Sequence, residues 1–212
     1  MTECRVSRPA LRTRTYTTFH ASRGATVTAS GDPVTYSSTG IATTANLLTA
    51  DGAGTILNLS ALSALDCGFN DMSGSVRRHY VGVTDGATMD LSGVETITGP
   101  VRDEDYLLFE VTGAGSTLNL DSLTHVSPAI QGWGWTKFNI TDTGISLPAL
   151  QDIDRGRFTV SNGQVDLPAL RTVNNTAFHA SHGATVTASG DPVTYSSTGR
   201  AGSANLLRAD GA

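Results

Sequence analysis

The sequence concentrates its capacity for molecular recognition in a few irregular stretches. Gly132-Trp133-Gly134-Trp135 holds both tryptophans of the chain, and Lys137, its one lysine, follows at once. Tyr80 closes a second stretch, which contains Arg77-Arg78-His79. Tyr106 closes a third, directly after Asp103-Glu104-Asp105. Aromatic faces beside carboxylates and a cation are the set that stacks on a sugar ring and hydrogen-bonds its hydroxyls. Trp133, Trp135, Tyr106, Tyr80, Lys137, Asp103 and Asp105 therefore form a candidate glycan-binding set. The competing role for the same side chains is to cover an edge of the fold, since aromatics readily pack on one another.

Catalysis is the second class of chemistry to weigh. Glycoside hydrolysis needs two carboxyls held about 5–10 Å apart across a rigid site. Asp103, Glu104 and Asp105 are neighbours on one loop, a poor match to that geometry. A polysaccharide-degrading lyase or glycosidase would need acids from separate parts of the fold facing one groove. No enzyme is expected, and no cofactor. The histidines His20, His79, His125, His179 and His182 are scattered, and Cys4 and Cys67 are distant, with no metal-ligand spacing among them. Phosphate-cradling loops, nucleophile elbows and glycine-aspartate calcium repeats are absent from the sequence. A formal net charge of −5 speaks against nucleic acid as a partner. No run of about 18 apolar residues exists to cross a membrane in this segment. Residues 1–12 carry arginines but no apolar stretch, so an export signal is not expected within it.

The elements that position these residues are short and repeated. An apolar-polar-apolar triplet recurs as Val27-Thr28-Ala29, Leu57-Asn58-Leu59, Met89-Asp90-Leu91, Leu118-Asn119-Leu120, Ile145-Ser146-Leu147, Val165-Asp166-Leu167 and Val186-Thr187-Ala188. Strict alternation marks a strand with one buried face. In five units two more apolar residues follow at steps of three: Leu62 and Leu65, Val94 and Ile97, Leu123 and Val126, Leu150 and Ile153, Leu170 and Val173. That step suits a chain rounding a corner while still pointing inward. A second strand precedes each triplet, as in Phe109-x-Val111, Phe138-x-Ile140 and Phe158-x-Val160. A glycine follows it, at Gly24, Gly52, Gly86, Gly113, Gly144, Gly163, Gly183 and Gly211, where positive φ would make a tight corner. These features predict an all-β parallel β-helix, or β-solenoid, of about eight coils. At roughly 4.8 Å per coil it would be about 35–40 Å long.

Segments 158–173 (FTVSNGQVDLPALRTV) and 113–126 (GAGSTLNLDSLTHV) resemble the repeats of large bacterial surface proteins and the β-helix of receptor L-domains. The leucine-rich repeat is a weaker likeness. Leu147-Pro-Ala-Leu-Gln-Asp-Ile is similar to it, but the repeat's asparagine and helical return are missing. The resemblance to bacterial repeat proteins implies a right-handed β-helix that works outside the cell or at its surface as a structural or adhesive segment. Extracellular polysaccharide, or neighbouring repeats of the same parent chain, would be its partners.

Residues 9–53 recur as 168–212 with 9 differences in 45 positions, a 159-residue super-repeat within one expected domain spanning 1–212. Surplus residues collect at 66–80, 98–108, 127–137 and 30–47, the last duplicated as 189–206. Insertions at one place in successive coils project from a single edge, often the binding edge. A solenoid cut within an array exposes unpaired strand edges. The isolated chain is therefore expected to stack end to end, and a sharp monomer at millimolar concentration in sedimentation would contradict this.

Overall fold

The computed structural model describes residues 14–15, 17–29, 31–130, 132–197 and 207–210, and every strand among them belongs to a parallel sheet. The chain winds repeatedly through three faces. The long face stacks eight strands: Phe19–Ser22, Ala45–Asp51, Arg78–Thr84, Tyr106–Thr112, Trp135–Thr141, Gly156–Ser161, Ala177–Ser181 and Leu207–Asp210. A second face also stacks eight, from Arg14–Thr15 through Leu62–Asp66 and Thr96–Gly99 to Thr194–Ser196. The third side carries the triplets, in one sheet of four strands and one of three. The expected parallel β-solenoid of eight coils is thus the observed architecture.

The core follows from register. Because each strand pairs in parallel with its counterpart in the next coil, equivalent side chains stack. Phe109, Phe138 and Phe158 pair in register with one another and Phe158 with Phe178. Their ring centres lie 5.0, 4.8 and 5.2 Å apart, with the ring planes nearly parallel. The triplet residues Leu57, Met89 and Val165 are fully buried, and so are the corner residues Val94, Leu123, Leu150 and Leu170. The polar residue of the triplet faces out and shapes the following corner. Asn58, Asp90 and Asn119 each accept, through Oδ1, the backbone N–H two residues on, the local bond that makes Asn and Asp turn formers.

Two sequence expectations are corrected. Positive φ at the corner belongs to glycine at Gly24, Gly52, Gly86, Gly113 and Gly183, but not at Gly144 or Gly163. In those two coils Asp142 and Asn162 take the left-handed conformation instead, and the Asn162 amide donates to the Asp142 carboxylate of the coil beneath. Gly163 is needed for close approach: a Cβ there would sit 2.2 Å from the Thr143 carbonyl oxygen. Gly211 lies outside the described residues. The second correction concerns residues 30–47, which are not surplus throughout. Val34–Ser37 is a strand of the second face, with Tyr36 fully buried opposite Leu65. A register shift between Val34 and Thr35 lets a two-residue step pair with the three-residue step Leu62–Leu65. The Tyr36 hydroxyl donates to the Thr17 carbonyl at 2.6 Å, and the duplicate Tyr195 donates to Thr176 at the same distance.

Truncating the middle of the phenylalanine column, Phe138→Ala, is expected to lower the unfolding free energy by about 3–5 kcal/mol. The outward-facing Thr159→Ala should change it by less than about 0.5 kcal/mol. Urea unfolding of both variants checks this, and equal shifts would contradict the inward column.

Candidate functional site

The insertions all fall at one corner, between the second face and the long face. In four successive coils they run over residues 38–44, 67–77, 100–105 and 129–134, and in the tight sixth coil only Arg155 separates the two strands. The loops continue the ladder of the strands. Val101 N–H donates to the Phe69 carbonyl at 3.0 Å, and Trp133 N–H donates to the Val101 carbonyl at 2.6 Å. Gly134 N–H donates to the Pro100 carbonyl, and Trp135 N–H to that of Asp105. The glycines around Trp133 permit this approach: a Cβ on Gly134 would lie 2.4 Å from the Pro100 oxygen, and one on Gly132 would lie 2.6 Å from the Ala129 oxygen. Trp133 is left 49% exposed on a backbone tied to the neighbouring coil.

Five of the seven candidate residues gather on the outer surface here. Arg78, Tyr106 and Trp135 pair in register, and so do Tyr80, Leu108, Lys137 and Arg157 one step along. The rings are engaged by cations. Lys137 Nζ lies 3.5 Å from the centre of Tyr106, and the Arg78 guanidinium 5.1 Å from Tyr80. Arg155 lies 4.5 Å from Trp133 and 5.7 Å from Trp135, which Arg157 also approaches at 5.7 Å. Tyr80 lies flat over Gly82, where a Cβ would meet its ring at 2.3 Å. Burial, then a hydrogen bond to Glu110, raises the Tyr80 phenol above its ordinary range. Burial, then the neighbouring Arg157, pulls the Lys137 ammonium down to about 8.

The two aspartates lie elsewhere in function. Asp105 is fully buried, and its Oδ1 accepts the Arg77 N–H at 2.7 Å. Burial pushes its carboxyl up, opposed by that hydrogen bond. It fastens the 67–77 loop to the next coil and presents no carboxylate to the surface. Asp103 belongs to the charged loop beside it, where Arg102 pairs with Glu104 and reaches Asp71 at 3.4 Å. Arg77 also reaches Asp71, at 3.3 Å. Of the acids that sequence reasoning grouped with the aromatics, Asp105 thus holds one loop to another, and the ion pairs that link the two loops run through Asp71 instead.

Sequence reasoning missed Arg155 and His79. Arg155 is only 7% exposed and takes positive φ at its corner. Its signal was the shortness of its coil, which leaves one residue to turn the edge. His79 is fully buried against Phe69, ring centres 3.8 Å apart. Its Nε2 lies 3.0 Å from the Ile41 carbonyl and so must carry the proton, while Nδ1 accepts from the Ser38 hydroxyl at 2.9 Å. It pins the 38–44 loop. His179 and His182 go separate ways, to Asp210 and to Ser161. Among the described residues no group of three His, Cys, Asp or Glu is placed to hold a metal ion. Cys67 is buried and its thiol is pushed up to about 12, chiefly by burial; Cys4 lies outside the described residues. No helix among the described residues is long and apolar enough to cross a membrane.

No protein-family model, curated protein or solved structure matches the chain.

Burial holds the His79 pKa down at about 4, against the backbone hydrogen bonds that raise it, while an unfolded chain protonates near 6.5. Between these values the unfolded chain takes up a proton that the folded one refuses. Stability therefore falls as pH drops from 6.5 to about 4, by roughly 3 kcal/mol at most from this group, and then levels. Unfolding free energies across that window should lose this increment in His79→Gln; identical slopes would contradict the assignment.

Proposed function

We propose that this chain is a structural and adhesive segment of an exported bacterial repeat protein, a stiff rod that presents its insertion edge to glycans. The observation that carries this reading is the hydrogen-bonded ladder that runs through eight coils and on into the edge loops. A ladder of that kind stiffens the rod and holds Trp133 outward without a flexible tether. The near-identical internal duplication suits repetition of a mechanical unit. The resemblance of its repeats to those of bacterial surface proteins supports a role at the cell surface, with extracellular polysaccharide as the proposed partner.

Among the described residues, neither the 100–105 loop nor the outward triplet column favours the polysaccharide-degrading alternative. The acids of the 100–105 loop are engaged: Asp105 is buried under Arg77, and Glu104 is paired with Arg102. The outward triplet positions Asn58, Asp90, Asn119, Ser146 and Asp166 do not concentrate carboxylates either.

A glycan array probed with the 212-residue chain and with Trp133→Ala tests the reading. Binding by the parent and loss in a variant of unchanged circular dichroism is the expected result, with no new reducing ends released from the bound glycan. A well-folded chain that binds nothing would leave a passive spacer as the account. Release of reducing ends would replace adhesion with catalysis.

A further inference from the structure

The outer surface beside the edge carries an unbalanced charge. Arg78, Lys137 and Arg157 lie on it, with Arg155 largely buried at its edge, within a span of four successive coils, in a chain whose net charge is −5. None of the four forms an ion pair with a described residue, whereas Arg77 and Arg102 in the adjoining loops both do. Their partners are aromatic rings instead. A ring holds a cation through its quadrupole and leaves the charge unneutralised. Arg78 Nε is buried without any hydrogen-bond partner. The acid nearest in register, Glu110, stands one step further along the strand and accepts the Tyr80 hydroxyl.

The cations are also ordered. Lys137 and Arg157 pair in register on adjacent coils, and Arg78 lies two coils before Lys137. With about 4.8 Å per coil, the run from Arg78 to Arg157 covers roughly 14 Å along the solenoid axis. A single small anion meets one end of that run. A polymer with acidic groups at intervals meets all of it, while the half-exposed Trp133 ring offers an apolar face for a sugar.

We propose that this surface binds an anionic polysaccharide laid along the solenoid axis, with Arg78, Lys137 and Arg157 engaging its acidic groups and Trp133 stacking on a sugar ring. The proposal rests on the reading of this edge as a recognition surface and adds the charge class of the ligand. The planar guanidinium of Arg157 suits two-point contact with a carboxylate or sulfate, and the Lys137 ammonium supplies a point charge beside it. Burial first, and then the neighbouring Arg157, pull the Lys137 ammonium down to about 8, and an arriving anion offsets the Arg157 contribution. Carboxylated and sulfated sugars share this chemistry. A single-stranded nucleic acid is the polyanion that the test must separate from an acidic glycan.

Calorimetric titration of the 212-residue chain with polygalacturonate, dextran sulfate, neutral dextran and a single-stranded DNA oligomer tests this. One or both acidic glycans should bind at least about tenfold more tightly than neutral dextran, and more weakly as salt rises. The better of the two identifies the anion as carboxylate or sulfate. Lys137→Gln/Arg157→Gln should weaken that binding at least about tenfold, while Arg171→Gln, an exposed charge elsewhere, leaves it within about twofold. Melting by circular dichroism confirms that the variants fold. Unchanged binding in a folded double variant, or equal binding of the DNA oligomer, would overturn the proposal. Neutral glycans bound through Trp133 while both acidic polymers are ignored would overturn it and leave the adhesive reading intact. No binding of any glycan would overturn both.

Discussion

Parallel pairing of each coil with the next is the constraint on which this structure depends. A lone coil leaves the main-chain N–H and C=O groups of its strands without partners and its apolar face exposed to water. Stacking satisfies both at once, at the condition that equivalent residues fall directly above one another. Side chains therefore come in columns, and each column must be tolerable as a stack of near-identical neighbours. Phenylalanine satisfies this by offset stacking from Phe109 to Phe178. Asp142 and Asn162 satisfy it at an exposed corner by hydrogen-bonding to each other.

The same constraint builds the edge. Loops of different lengths leave the stack at one corner, yet Val101 and Trp133 bond to the loop of the preceding coil as strand residues would. Columns on the outer surface cannot bury themselves, so they resolve as cations against rings: Lys137 on Tyr106, Arg155 on Trp133, Arg157 on Trp135. Such pairs give order to long side chains at an exposed site without neutralising them. An ordered positive strip on an acidic rod is a physical consequence of that arrangement.

Much of this was legible in the sequence because periodicity reports which way a side chain points. The triplets, the three-residue steps and the Phe-x-Val strands located inward positions such as Met89, Ile97 and Phe109, all of them buried. Strand Val34–Ser37 escaped because its step is two residues where its neighbour's is three, and a bulge reconciles them only in three dimensions. The edge was legible as a place and not as a set of contacts. Asp105 and Trp133 lie in similar irregular sequence, but Asp105 is buried against the loop of the preceding coil and Trp133 is left half exposed. Gly-Trp-Gly-Trp reads as an irregular insertion, and only the structure shows that its glycines let one backbone press on another. Such contacts depend on which loop lies beneath, which spacing within one loop does not encode.

The central claim is that the hydrogen-bonded ladder extends past the strands into the edge loops. Amide hydrogen exchange of the 212-residue chain at single-residue resolution tests it most directly. The account predicts that the Val101 and Trp133 amides exchange as slowly as strand amides such as those of Val111 and Ile140. Rapid exchange at Val101 and Trp133, with the strand amides protected, would show that the edge is a set of independent loops and would remove the platform on which recognition here depends.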